Sequence, residues 1–230
     1  MNQNNNAHNN YEQDRNNIFK HTHNKYITRI YETWETVIDG ISHKMNSNIS
    51  PGECIFIHRL MMKYKPINVL EVGLANGMST MIILNALNII GGKILYSIDP
   101  FQKTQWNSIG LYNVSQTKGD VEHVLVEKMS DVAFDEFSDD MFDMCLIDGP
   151  HDKKNVMSDI NNTKRILKVG GIMILDDILH KGVREAITEV LKYDKNYAQI
   201  FVKYKHKKKR TSHSHDKLNP ATMSAYIKLK

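Results

Sequence analysis

The stretch Met141-Phe-Asp-Met-Cys-Leu-Ile-Asp148-Gly-Pro-His151 ends an apolar run by placing a carboxylate and an imidazole at its tip. A second apolar run, Gly171-Ile-Met-Ile-Leu-Asp176-Asp177, ends in two more carboxylates. Runs of this length and composition read as strands, and acids at the carboxyl ends of parallel strands line the crevice where open α/β sheets bind ligands. Three converging carboxylates with no lysine or arginine at the same tips repel one another unless a cation sits between them. The pattern points to an enzyme with a metal-assisted site.

Upstream, Asn68-Val-Leu-Glu71-Val-Gly73-Leu-Ala-Asn-Gly77-Met-Ser79-Thr80 reads as a strand, a glycine turn and a helix start. Gly73 lets the chain turn sharply and lets a ligand approach the backbone. Gly77 and Ser79 open the helix, whose exposed N–H groups favour a carboxylate or phosphate. The spacing is Gly-x-x-x-Gly after an acid, not the Gly-x-Gly-x-x-Gly of dinucleotide folds. Asp99 ends the next strand, 22 positions after Gly77. An acid near that spacing accepts both ribose hydroxyls of an adenosine ligand. Together the two motifs indicate an adenosine-containing cofactor.

These residues need a scaffold, and the chain supplies an alternating one. Strands are predicted at 68–72, 93–98, 122–127, 142–148 and 171–176, with helices at 77–89, 131–138, 153–168 and 182–193. Alternation of this kind means βαβ units and a parallel sheet. Two late strands, Ala198–Lys205 and Met223–Leu229, suit an antiparallel hairpin closing one edge. Ahead of the sheet, the spacing Ile27, Ile30, Tyr31, Trp34, Val37, Ile38, Ile41 predicts a helix with one apolar face. Ser50-Pro51-Gly52-Glu53 opens another through a capping box, ending near Lys65-Pro66. Residues 1–25, rich in Asn, hold too few apolar groups to order themselves and are read as a disordered tail. Phe101–Asn113, with Trp106 and Tyr112, is read either as a substrate lid or as an ordinary loop.

The 230 residues fit one domain plus tails, burying roughly 70% of the unfolded surface. A net charge of +4 says little about partners. No apolar run approaches the ~20 residues of a membrane span, and the N-terminus is polar. The two cysteines, Cys54 and Cys145, sit in apolar segments and read as core residues, so the expected compartment is the reducing cytoplasm. The run Lys203-Tyr-Lys-His-Lys-Lys-Lys-Arg210 invites a nucleic-acid reading but is taken as a charged hairpin turn.

Glu71-Val-Gly73-(x)3-Gly77-Met-Ser79, Ile98-Asp99, Leu146-Ile-Asp148-Gly-Pro-His151 and Leu167-Lys-Val-Gly170-Gly171-(x)4-Asp176-Asp177 resemble class I S-adenosylmethionine-dependent methyltransferases. The resemblance is to the metal-dependent O-methyltransferases related to the catechol, macrolide-sugar and cephalosporin-pathway enzymes. It covers roughly Ser50 to Asp194. It implies a Rossmann-like, seven-stranded, mostly parallel sheet, order 3-2-1-4-5-7-6, with helices on both faces and a C-terminal antiparallel hairpin. Residues 26–230 would form this domain, including an N-terminal helical cap.

By the same resemblance, Glu71 and Gly73 flank the methionine part of S-adenosylmethionine, Ser79 holds its carboxylate and Asp99 its ribose. Ser130 and Asp131 match the position that meets the adenine edge, although the small residues of the catechol enzymes are missing there. Ala75 stands where the family has an aromatic. Asp148, Asp176 and Asp177 match the metal triad, the doubled acid being closer to the sugar and antibiotic branch than to the Asp-Asn of catechol enzymes. All-oxygen ligands favour Mg²⁺, with Mn²⁺ or Ca²⁺ as alternatives. His151 stands where relatives carry their general base, and a neutral imidazole with a pKa near ~6.5 takes a hydroxyl proton at neutral pH.

The expected reaction is methyl transfer to a hydroxyl of a sugar or polyhydroxylated small molecule, with no membrane partner. Homo-oligomerisation stays open. Two rivals remain: an RNA methyltransferase using the basic run, and a cofactor-binding scaffold without activity.

Overall fold

The computed structural model describes residues 24–47, 49–200 and 222–230. The Asn-rich tail up to residue 23 and the basic run at 203–210 lie outside the described residues. Helix α1 (Lys25–Thr33) is capped by Asn24, whose side chain accepts from the Tyr26 and Ile27 amides. The helix predicted as far as Ile41 stops at Trp34, which turns left-handed. Strands β1 (Glu35–Ile38) and β2 (Ile41–Lys44) follow as an antiparallel hairpin. Its turn is Asp39-Gly40, with φ of 50° and 80°. Thr36-Val37-Ile38 is β-branched, and Asp-Gly is a strong two-residue hairpin signal; together they outweigh the helical spacing of Val37, Ile38 and Ile41. Helix α2 (Pro51–Tyr64) begins with the expected capping box between Ser50 and Glu53.

The alternation then runs β3 (Asn68–Val72), α3 (Met78–Ile90), β4 (Ile94–Ile98), α4 (Ile109–Thr117), β5 (Glu122–Val126), α5 (Ser130–Ala133), β6 (Phe142–Ile147), α6 (Lys153–Ile166), β7 (Leu167–Leu175), α7 (Lys181–Val190), β8 (Tyr197–Ile200) and β9 (Ser224–Lys228). The sheet order is β5-β4-β3-β6-β7-β9-β8. Numbered within the sheet, this is the expected 3-2-1-4-5-7-6. β3 to β7 are parallel, while β9 lies antiparallel to both β7 and β8.

Three local differences stand out, two of them with identifiable causes. The helix predicted over 131–138 is one turn of α5 followed by a 3₁₀ turn, Phe134–Glu136. Phe134 is fully buried there, so packing sets the path. β7 starts four residues early, and Gly170 at φ 83° absorbs a shift in register against β6. The second half of the Phe101–Asn113 segment is helical and opens α4.

Both faces of the sheet are covered. Val69, Leu95, Met144, Leu146, Ile172 and Ile174 pack with α2 and α3, whereas Leu70, Cys145, Ile147, Met173 and Leu175 pack with α6 and α7. Successive strand residues thus enter opposite cores, which is why these runs are apolar throughout rather than alternating. Asn113 of α4 ties the N-terminal elements to the sheet: its Oδ1 accepts from Tyr26 (2.6 Å) and Thr36 (2.9 Å), and its amide donates to the Asn76 carbonyl at 2.8 Å. No helix among the described residues is long and apolar enough to cross a membrane.

Candidate active site

Strand register places the floor of the site. Val126, Ile98, Val72, Ile147 and Leu175 are successive partners across β5, β4, β3, β6 and β7. The residues one step further, Glu127, Asp99, Gly73, Asp148 and Asp176, therefore stand in a row at the carboxyl edge. Amides of four of them continue the ladder: Asp99 to Val126 (3.1 Å), Gly73 to Ile98 (2.9 Å), Asp148 to Val72 (2.9 Å) and Asp176 to Ile147 (3.1 Å). A cavity of about 910 Å³ opens over this row. This is the size and location expected of a cofactor site in an open α/β sheet.

At the glycine turn, Gly73 has φ 93°, and a Cβ there would lie 2.1 Å from the Asp148 carbonyl oxygen. The immediate reason for glycine is thus the close approach of the neighbouring strand tip. Gly77 (φ 83°) caps α3 without lining the cavity. No side chain caps α3, so its first turn, with Ser79 on the cavity wall, keeps its amides for an anionic group. Glu71 does not line the cavity. It is fully buried beneath the turn, accepting from Ser79, from Thr80 (2.7 Å) and from Ser97 (3.0 Å). Burial raises its pKa to about 7 against those three hydroxyl donors. Glu71 therefore supports Ser79 from behind.

Asp99 lines the cavity and also braces its walls. Its Oδ1 accepts from the Phe101 amide (2.8 Å), and its Oδ2 from the Ala75 amide (2.8 Å) and the Gln102 side chain (2.9 Å). Ser130 and Asp131, at the start of α5, line the same side of the row.

The opposite end is acidic. Asp148, Asp176 and Asp177 all line the cavity, and Glu53 of α2 joins them. Burial, then Asp176 and Asp177, pushes the Asp148 carboxyl well above the usual range. Burial, then Glu53 and Asp177, raises Asp176 to about 8. Among the described residues no lysine or arginine pairs with Asp148 or Asp176, and a bound cation would relieve that condition. Their oxygens do not, however, form one tight set. Among the described residues, the group whose ligand atoms all lie within 4.8 Å of one another is His151, Asp177 and His180. Asp177, left-handed at φ 51°, points its carboxylate at His151, with Nε2 to Oδ2 3.0 Å.

Several residues at or beside the cavity escaped sequence reasoning. Glu53 was visible only as a capping residue. Its second task follows from Ser50 and Thr222, which also line the cavity and donate to it. His180 could have been found from Asp177-x-x-His180, the spacing of one turn. Trp34, read only as part of the N-terminal helix, reaches the cavity through folding, and Trp106 lines it from the segment read as a lid or a loop.

The cavity's charge is one-sided. Glu53, Asp99, Asp131, Asp148, Asp176 and Asp177 line it, and among the described residues no lysine or arginine does. A sulfonium cofactor is a cation and suits such walls.

Residues 70–178 match a family model described as a methyltransferase domain. No curated protein matches the sequence. Among solved structures, the chain is similar to the O-methyltransferase from Bacillus cereus in complex with SAH, at 17% identity over 78% of this chain and 82% of that one, TM-score 0.58. It is similar to TomG, the O-methyltransferase of Streptomyces achromogenes in complex with SAM, at 15% identity over 79% and 82%, TM-score 0.58. It is also similar to SAH-bound PaMTH1, a methyltransferase of Podospora anserina, at 10% identity over 99% and 97%, TM-score 0.63. At these identities the likeness is one of fold. The matched segment runs from β3 to just past β7, and the seven-stranded sheet is the fold of the methyltransferase structures the chain is similar to.

Proposed function

We propose that the chain transfers a methyl group to a hydroxyl oxygen of a sugar or polyhydroxylated small molecule, with help from a divalent cation. The acid-lined cavity over the strand tips, with no lysine or arginine among the described residues of its wall, carries this reading. Asp99 would hold the ribose, Ser79 and the α3 amides the methionine carboxylate, and Ser130 and Asp131 the adenine edge. Asp148, Asp176 and Asp177 would hold the cation, Mg²⁺ above Mn²⁺ or Ca²⁺, and the burial and crowding of negative charge at Asp148 and Asp176 suit them to it. S-adenosylmethionine supplies an electrophilic methyl group, and a cation supplies charge that favours an ionised hydroxyl.

The protein's own contribution is positioning and proton removal. His151 Nε2 faces Asp177 at 3.0 Å, which fixes the ring and leaves its other nitrogen to take the acceptor's proton. Positioning the acceptor oxygen in line with the methyl–sulfur bond supplies most of the remaining acceleration. That the named structural relatives include O-methyltransferases supports oxygen as acceptor. The Asp177–His151 pair also favours a second reading, a cation-free enzyme in which Asp177 serves only to orient the base.

A methyl-transfer screen over sugars, nucleotide sugars, catechols and RNA, with Mg²⁺ and with EDTA, tests both. Transfer to a polyol that stops in EDTA and returns with Mg²⁺ is the expected result. Full activity in EDTA establishes the cation-free reading, and RNA as the sole acceptor overturns the small-molecule one.

A further inference from the structure

At the mouth of the cavity two loops bring three side chains together. His151 follows β6, while Asp177 and His180 follow β7. One ligand atom from each, two imidazole nitrogens and a carboxylate oxygen, lie within 4.8 Å of one another. The two rings stand 4.6 Å apart between centroids. The arrangement is held by backbone. The Asp177 carbonyl accepts the His180 amide at 2.8 Å, a turn that brings the imidazole back beside the carboxylate. Gly182, in the first turn of α7, lies against the other loop so closely that a Cβ would sit 2.2 Å from the His151 carbonyl oxygen. The neighbouring ammonium groups are engaged elsewhere, Lys153 with Glu189 at 2.6 Å and Lys181 with Glu185 at 3.8 Å.

Two nitrogens and one oxygen differ in kind from the oxygen set of Asp148, Asp176 and Asp177. Imidazole nitrogen selects Zn²⁺ and its first-row neighbours, whereas Mg²⁺ keeps to carboxylates and water. A half-exposed trio at a cavity mouth also leaves coordination positions open to water. We propose that His151, Asp177 and His180 form a binding site for a divalent transition cation of the zinc class, which shares only Asp177 with the Mg²⁺-type oxygen set. Occupation would take the His151 imidazole from the acceptor's proton and Asp177 from the oxygen set. The site is then inhibitory. That consequence rests on the proposed function, whereas the binding site itself rests on the geometry alone.

His180 is the residue to change, because it is exposed and its side chain makes no capping bond to α7. Co²⁺, whose visible absorption reports imidazole coordination, is titrated into the full chain and into His180→Ala, and Zn²⁺ affinity is read by competition with a chelating dye. The native chain should show an absorption band that His180→Ala loses. Zn²⁺ affinity should fall by at least about tenfold, since even outer partners of ligands cost that much. Histidines elsewhere in the chain are common to both proteins, so the difference isolates this trio. Identical spectra and affinities overturn the site. With Mg²⁺ saturating, Zn²⁺ should stop methyl transfer by the native chain, while His180→Ala keeps its turnover and resists Zn²⁺. A lost Co²⁺ band with unchanged zinc inhibition overturns the inhibitory role. A Co²⁺ difference in a chain that methylates no acceptor upholds the site and counts against the O-methyl reading.

Discussion

Three residues show how differently one site uses its side chains. Gly73 is required by the Asp148 carbonyl, so Gly73→Ala should separate the tips of β3 and β6. The expected cost is roughly 1–3 kcal/mol of stability, with weaker S-adenosylhomocysteine binding by calorimetry. His151→Ala should leave that binding near native while lowering turnover ~10²–10⁴-fold, the usual share of a general base. Steady-state kinetics beside calorimetry decide it, and equal losses in both would assign His151 to structure. Glu71 is buried under the turn. Its folded pKa of about 7 exceeds the ordinary 4.5, so the native state holds this proton more tightly than the unfolded chain. Stability due to Glu71 should fall as pH rises from about 4.5 to about 7. His123, which burial lowers to about 4 from 6.5, acts in the opposite sense between those values. Melting curves of the native chain and Glu71→Gln across this range should therefore differ by one falling limb, present only in the native chain.

At the scale of elements, the site depends on how α1 and the β1–β2 hairpin are fastened over it. Asn113 alone joins α1, β1 and the loop before α3 through three hydrogen bonds. Asn113→Ala leaves the Tyr26 and Thr36 hydroxyls and the Asn76 carbonyl without this partner in a buried setting. The expected loss is about 2–4 kcal/mol, since a buried group stripped of its partner loses its full solvation. For a domain of this size that is a fall of roughly 5–15 °C in Tm. If the cap instead detaches without global unfolding, proteolysis within 25–47 should accelerate while Tm holds. The uncapped start of α3 makes the complementary point, because an element end left unsatisfied by its own chain is an end available to a ligand.

For the whole molecule, the acid-rich cavity is a cost to stability. Neighbouring strand tips and α2 place Asp148, Asp176, Asp177 and Glu53 around one space, and burial with mutual repulsion raises Asp148 and Asp176. Asp176→Asn removes one charge and keeps an oxygen for the Asp177 amide, now bound at 2.7 Å. It should stabilise the cation-free chain at pH 8 by about 1–3 kcal/mol while weakening Mg²⁺ binding and methyl transfer. Adding Mg²⁺ should raise the Tm of the native chain more than that of Asp176→Asn. Thermal unfolding with and without Mg²⁺ settles this, and a variant less stable than native without the cation would mean that the carboxylates are not in conflict.

Much of this protein could be read along the chain because its information is local or periodic. Apolar runs alternating with helical spacing determined the parallel sheet. The residues at the ends of those runs, Asp99, Asp148, His151, Asp176 and Asp177, were legible because a strand's end is where a parallel sheet presents its ligand site. The N-terminal helix failed past Trp34, since Asp39-Gly40 carried a turn signal that competed with the helical period. What the tertiary structure alone decided concerns distance across the fold. Glu71 sits behind the turn rather than in the cavity, because Thr80 and Ser97 converge on it from two elements. Glu53 reaches the strand tips from a helix that begins outside the sheet. Asp177 turns to His151 and His180 and away from a compact set with Asp148 and Asp176, because its left-handed backbone and the contact of Gly182 with the His151 loop set the direction of its side chain. Sequence spacing specifies which residues stand at the same edge; only packing between loops specifies which of their atoms meet.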